Sequence, residues 1–511
     1  AMGADIVIAV DLGTPIAERG EMQSMVQIVS QTTGMITRSN VRLRLPDADL
    51  VLNPPVQEYG VMEFEQAAAI IQAGLVEARA HAEDLKAHAI AADDFAAHTA
   101  ARPAPPPVPT TLEFVTFRGN ERVDDRIIEA RLDLQPGQPL DLTAIEANLG
   151  RLFGLGDFSA VEMALETRTA DDGMIEHGVV LDLVEKDWGP NYLRGGLTLE
   201  SGFEGEGLDF GLLVNLTMTH LNARAGEWRN DLRVGRQQLL LSELYQPLDF
   251  GGRFFVAPSL RLLQTRVGFF EDGVETSELD VEQDVAQVDF GFQGKHYGEI
   301  RIGVFRGLLD FEVGVGAADG GPAGSVDLGG LVFRARLDRL DNAAIPRRGT
   351  AFDLNILRSM SDLGGDDEYT KASLTASAFG SFGHHTIFGA VELGTSPDGM
   401  LPVYDQFFAG GILSFSGFQP NELTGQALGI GRLGYYRDIG QASFGVIDSV
   451  VAGGWVEVGN VWEEEDDFGE DLIVAGGVML GADTAFGPMY LAYGRAETGD
   501  DQLYLSVGTT F

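Results

Sequence analysis

The stretch Gln502–Phe511, QLYLSVGTTF, alternates with a period of two. Leu503, Leu505, Val507, Thr509 and Phe511 make one set, apolar or nearly so, while Gln502, Tyr504, Ser506, Gly508 and Thr510 make a small or polar one. About ten residues cross a bilayer once as a tilted strand. A strand with lipid on one side and a wet lumen on the other needs this alternation. A strand of a soluble sandwich alternates as well, so the rest of the chain has to decide between them.

From Asp187 to the end the same theme recurs. Leu193, Leu197 and Leu199 alternate with Arg194, Gly196 and Thr198; Trp228, Leu232 and Val234 with Arg229, Asp231 and Arg233. Phe333, Ala335 and Leu337 alternate with Arg334, Arg336 and Asp338, and Phe352, Leu354 and Ile356 with Asp353, Asn355 and Leu357. An arginine facing lipid at the bilayer midplane costs about 2–4 kcal/mol. In a wet lumen it is tolerated and can pair with a carboxylate such as Glu457. Arg229, Arg233, Arg334, Arg336 and Glu457 are therefore read as lumen-facing charges. No helical periodicity interrupts this region, and only a closed barrel leaves no strand edge unpaired in lipid. At roughly 20 residues per strand and connection, residues 187–511 hold about sixteen strands. The fold class expected is mainly β, an outer-membrane β-barrel preceded by smaller domains.

Composition agrees with that reading. The 511 residues carry 77 acidic against 35 basic side chains, a formal charge of −42, which repels nucleic acid and excludes it as a partner. The absence of cysteine removes thiol and disulfide chemistry and is compatible with an outer-membrane address. No run of about 18 uncharged apolar residues marks a transmembrane helix. The acid gathers in loop-like runs such as Glu463–Asp467 and Gly364–Glu368, whose irregular spacing reads as solvated loop rather than a calcium site.

Three segments precede the barrel. Residues 1–92 read as α/β. Asp5–Asp11 is a continuous apolar run suited to a strand buried on both faces, a helix is expected over about 21–31, a short strand over 48–53, and a long helix over about 63–91 with Phe64, Ala67, Ala68, Ile71, Leu75 and Ala78 on one face. Two strands and two helices are too few for a doubly wound domain, so they read as the closing part of one that opens before Ala1. Residues 93–111 (DDFAAHTAARPAPPPVPTT) read as a Pro-rich linker. Residues 112–186 read as β-α-α-β-β. Val123, Ile127, Ile128 and Leu132 fall on one helix. Asp141 is the expected N-cap of a second helix bearing Leu142, Ile145, Leu149, Leu152 and Phe153.

These residues carry resemblances. Met2–Asp11 and the Ala/Gly helix around Ile70–Gly74 resemble the C-terminal part of a bacterial patatin-like phospholipase domain. That family uses a G-x-S-x-G serine elbow and a D-G-G or D-G-A aspartate. This sequence contains no G-x-S-x-G, and Asp319–Gly321 matches the second motif only by letters, in a Gly-rich loop far from the α/β segment. No catalytic residue is assigned, and the chain as given is not expected to hydrolyse esters. Phe117–Asn120 and Leu152–Phe158, in the β-α-α-β-β order, resemble a POTRA domain, a periplasmic module that can receive client segments by edge-strand addition. Lys186–Tyr192, Glu243–Leu248, Asp341–Gly349, Gly459–Trp462 and the terminal Phe511 resemble the surface-antigen barrels, a superfamily that includes outer-membrane assembly factors and two-partner secretion transporters. Together, patatin, POTRA and barrel resemble the patatin-like autotransporters of type V secretion. The resemblance implies a barrel that anchors a lipase passenger and helps it across the outer membrane, with the bilayer and the barrel-assembly machinery as partners. An assembly or insertion factor is the alternative, and a homo-oligomer stays open.

Two further expectations follow from the superfamily. Its sixth extracellular loop carries a V-R-G-F or V-R-G-Y motif whose arginine grips an acidic wall residue. Here the letters are Phe415, Ser416, Gly417 and Phe418, with serine for arginine, which counts against a general insertase. The last strand, with Tyr504 and Phe511, is expected to be the signal that the assembly machinery reads. His81 and His88, seven apart beside Asp84, read as a solvated helix face rather than a metal site. No metal or cofactor is assigned.

Overall fold

The computed structural model describes the chain apart from residues 1–5, 13–40, 42, 57–65, 102–110, 133, 135, 155, 171, 188–190, 203–208, 236, 272–273, 295–297, 314–322, 443–446, 465–466, 485–486 and 509–511. Several expectations therefore lie outside the described residues: the helix over 21–31, the prolines of 103–109, Asp319–Gly321 and Phe511. The chain divides into two compact units, Ala1–Pro107 and Val108–Phe511.

In the first unit, β1 (Ile8–Val10) pairs in parallel with β2 (Leu50–Leu52). Parallel pairing needs a crossover, the signature of an α/β sheet. The helix expected over 63–91 is broken into α1 (Ala67–Ala80) and α2 (Ala82–Lys86), with His81 between them hydrogen-bonded to Asp84 at 3.0 Å. A third helix, α3 (Ala92–Ala101), occupies the start of the segment read as linker. Its alanines favour helix, and the prolines that suggested an extended spacer begin only at Pro103. Among the described residues Ile6, Ile8, Val10, Ile71 and Val76 are exposed.

The second unit opens with the smaller domain. β3 (Phe114–Arg118), α4 (Asp125–Leu132), α5 (Leu142–Phe153), β4 (Phe158–Thr169) and β5 (Ile175–Glu185) build a sheet in the order β3-β5-β4. β5 is central because it alternates least and buries Val179, Val180, Leu181 and Leu183. Ile128, Leu132, Leu152 and Phe158 are fully buried against it. Asp141 caps α5, its Oδ1 accepting from the Ala144 amide at 3.1 Å, an interaction worth about 1 kcal/mol.

Sixteen antiparallel strands close the barrel. They run from β6 (Asn191–Gly202) to β16 (His385–Asp398), then from β19 (Ala427–Ala442) to β23 (Asp501–Val507). Between them, β17 (Phe407–Ala409) and β18 (Leu423–Gly425) pair with each other as a separate two-stranded sheet. Leu193, Leu232, Phe290, Ile302, Leu433 and Val478 are among the large apolar side chains exposed on the outer face. Such a continuous apolar exterior suits lipid, not water. Their alternating neighbours turn into the lumen: Arg301 is buried between the exposed Ile300 and Ile302, and Glu457 between Val456 and Val458. β6 forms its register with β7 (Asp209–Met218) from Asn191 to Glu200, and among the described residues it meets β23 from Leu199–Val507 to Gly202–Tyr504, which closes the barrel.

Candidate functional site: the loop clamp in the lumen

The end of the barrel that carries the smaller domain is called the near end. At the far end, the connection between β16 and β19, residues 399–426, turns back into the lumen. Its two ends are stapled by one side chain: Gln426 accepts from the Leu401 amide at 2.6 Å and donates to the Leu401 carbonyl at 3.0 Å. Further in, Asp405 accepts from Tyr369 at 2.7 Å and from Lys371 at 2.8 Å, both on β15 (Tyr369–Phe382). Tyr404 donates to Asp367 of the neighbouring acidic loop at 2.5 Å. Part of the Gly364–Glu368 run thus has a structural job.

The tip of this connection is Phe415–Phe418. The rings of Phe415 and Phe418 stack with centroids 5.4 Å apart and join a buried cluster with Leu428, Ile430 and Val461 of the wall. The Ser416 amide donates to Glu457 Oε2 at 2.8 Å, and Ser416 Oγ accepts from Trp455 Nε1 at 2.8 Å. The Gly417 amide donates to the Tyr504 hydroxyl at 3.0 Å, which donates in turn to the Phe418 carbonyl at 2.8 Å. Glycine is required at 417. Its φ is +98°, and a Cβ there would stand 2.6 Å from the Ala496 amide nitrogen. Across the gap Gly494 on the wall leaves the room: a Cβ on it would meet Ser416 Cβ at 2.8 Å.

Glu457 is fully buried, and its other oxygen accepts from Arg432 Nε at 2.6 Å. A buried carboxylate needs a cation and hydrogen bonds to be tolerated. The wall supplies the cation here, on the strand next to Glu457, and the loop supplies a backbone amide. The carboxylate is thus occupied without an arginine at position 416.

The other charges selected from the sequence have partners of their own along the wall. Arg229 pairs with Glu227 at 2.7 Å and Glu243 at 3.5 Å, and Arg301 joins them through Glu243 at 2.6 Å. Arg336 pairs with Asp353 at 2.8 Å, Arg334 donates to Gln287 at 3.2 Å, and Arg233 donates to Gln237 at 2.6 Å. None of these arginines is the partner of Glu457. That partner is Arg432, which sequence reasoning did not select, although a lone arginine in the apolar strand Gly429–Tyr436 was the available signal. Tyr504 sits in the clamp. The tight connection Asp341–Gly349 at the near end also has an inward role. Asp341 Oδ1 accepts from the Arg347 and Arg348 amides at 2.8 and 3.0 Å. Its Ile345 is buried with Trp455 and Tyr504, and Ile412 and Leu413 of the far-end connection pack on the same cluster. Two connections from opposite ends therefore meet inside the lumen. Among the described residues no group of three or more potential metal-ligating side chains occurs.

A closed, lipid-clad barrel with an inward loop clamp and a β-α-α-β-β domain at one mouth is an outer-membrane barrel with a periplasmic POTRA domain. Residues 276–511 match the Omp85 superfamily domain, and residues 110–186 match POTRA, described as a surface antigen variable number repeat. These matches and the lipid-clad barrel place the chain in the bacterial outer membrane with the near end periplasmic. Among solved structures it is similar to BamA from Haemophilus ducreyi lacking POTRA domains 1–3, with a TM-score of 0.61 at 15% identity over 78% of this chain and 84% of that one. It is also similar to CdiB from Acinetobacter baumannii, with a TM-score of 0.52 at 11% identity over 99% of this chain and 89% of that one. At these identities the likeness is one of fold. No curated protein matches the chain.

Proposed function

We propose that this protein is a dedicated carrier. Its barrel anchors in the outer membrane and helps its own N-terminal unit reach the cell surface, that unit being part of a patatin-like lipid acyl hydrolase. The observation that carries the reading is the arginine-free clamp. Glu457 is neutralised inside the wall by Arg432, and Ser416 holds the tip by its amide and hydroxyl. The tip itself is held by one backbone amide on Glu457 and by hydrogen bonds to Trp455 and Tyr504, with no bidentate guanidinium–carboxylate fork. A tip held without that fork is easier to release, which suits a barrel that must clear its lumen for one attached cargo. The parallel pairing of β1 with β2 supports an α/β sheet for the cargo.

One observation favours the alternative, a general assembly factor: the likeness in fold to BamA, with a POTRA domain at the periplasmic mouth of the barrel. Depleting the protein from cells separates the two. For a dedicated carrier, only the surface exposure of its own N-terminal unit falls. For an assembly factor, the levels of unrelated outer-membrane barrels fall together.

A further inference from the structure

The POTRA domain sits against two periplasmic turns of the barrel. Phe250, in the turn between β9 (Gln238–Pro247) and β10 (Phe254–Glu271), packs on the POTRA core, with the Arg126 guanidinium 4.1 Å from its ring centroid. In the turn between β7 and β8 (Glu227–Gly235), His220 Nε2 meets Asp157 Oδ1 of the POTRA domain at 2.9 Å. Tyr192 donates to the Gly156 carbonyl at 3.3 Å. Between these contacts lies a cavity of about 1140 Å³.

The cavity's charges do not balance. Each of its carboxylates is matched: Asp157 by His220, Glu227 by Arg229 at 2.7 Å, and Glu299 by Arg301 at 2.9 Å. Three of its arginines, Arg131, Arg194 and Arg224, have no carboxylate within ion-pair distance among the described residues. Arg194 and Arg224 instead lie near the faces of Tyr192 and Phe250. Two lining groups are also buried with an unused polar atom, Arg131 Nε and His220 Nδ1, and the His220 side chain is only 8% exposed. Orphaned buried donors are rare and call for a partner. In a protein with 42 excess negative charges, a mouth with surplus guanidinium is built against the overall field.

We propose that this POTRA–barrel cavity binds an oxyanion of the phosphate class. Arg131 and Arg224 supply forked donors suited to phosphate oxygens, and Arg194 adds charge. His220, held through Nε2 by Asp157, donates from Nδ1 when doubly protonated. Its carboxylate neighbours favour that state: Asp157 first by its hydrogen bond, then by charge, with Glu185 and Glu227 adding to the field while Lys186 and Arg224 line the same space. The phosphate comes either from an anionic phospholipid headgroup of the periplasmic leaflet or from a free phosphate in the periplasm.

Isothermal titration calorimetry tests this on the full chain in an uncharged detergent. Inorganic phosphate and a short-chain phosphatidylglycerol are titrated separately, with chloride as the control. Saturable binding is expected, weakened by about tenfold or more in Arg131→Gln/Arg224→Gln, since charge-assisted hydrogen bonds are lost. Heat-dependent gel mobility shows whether that variant folds. Binding of both ligands assigns the site to the phosphate group itself, and binding of the lipid alone assigns it to the membrane. If neither binds the wild-type chain, or if the folded double variant binds equally well, the proposal is overturned.

Discussion

Arg432 and Glu457 stand opposite each other in register on β19 and β20 (Ile447–Trp462), with Arg432 Nε donating to Glu457 Oε1 at 2.6 Å. The pair lies inside a wall whose outer face is apolar, and Glu457 has no exposure to water. Removing either partner strands a buried charge. Arg432→Gln or Glu457→Gln alone should destabilise the folded barrel by about 3–5 kcal/mol, and the double variant by less than the sum. Urea unfolding in detergent checks this, and strict additivity would show that the two side chains act independently.

The pairing also predicts what an arginine at position 416 does. Ser416 is fully buried, with Trp455 Nε1 on its hydroxyl and Gly494 across from its Cβ. Ser416→Arg should loosen the tip, seen as faster proteinase K cleavage within residues 399–426. Adding Arg432→Gln should restore protection, because the new guanidinium then has a free carboxylate to meet. Protection that rises in Ser416→Arg alone would contradict the assignment of Glu457 to Arg432.

Tyr504 and Phe511 should separate by mutation. The Tyr504 hydroxyl both accepts from Gly417 and donates to Phe418, so Tyr504→Phe leaves buried groups unmatched, at about 1–3 kcal/mol. The barrel should still reach the membrane, with a looser clamp. A charged residue at 511 should instead lower outer-membrane levels while leaving the stability of the refolded barrel unchanged. Equal membrane levels for the two variants would count against Phe511 as the assembly signal.

His220 links POTRA docking to pH. Its pKa is raised above the usual 6.5, chiefly by the hydrogen bond to Asp157. The docked state is thus stabilised fully below about pH 6.5, and this is lost as pH rises through the raised value. The spin-label distance between POTRA and barrel should broaden at alkaline pH, and His220→Ala should remove the pH dependence. A pH profile that survives that change would assign it to other groups.

The barrel was legible because lipid imposes its own pattern: Leu193, Trp228 and Phe333 with their arginine neighbours leave one fold class open. The POTRA order was legible from Asp141 and the buried stripe of α4 and α5. The clamp was only half legible. The letters Phe415–Phe418 marked the loop, but pairing across strands decides which arginine meets Glu457, and sequence distance says nothing of register. The docking of His220 on Asp157 joins positions 63 apart and left no periodic trace. The helix over Ala92–Ala101 went unread because the prolines just after it dominated the composition.

A barrel that carries its own N-terminal unit outward leaves that unit accessible from outside the intact cell. Protease shaving of intact cells producing the full chain measures this, with one antibody against residues 66–101 and another against the POTRA domain. We predict that external protease removes the first epitope while the POTRA epitope persists until the outer membrane is permeabilised. Protection of both epitopes in intact cells, with loss of both only on permeabilisation, would contradict the claim and leave the protein a barrel whose N-terminal unit stays in the periplasm.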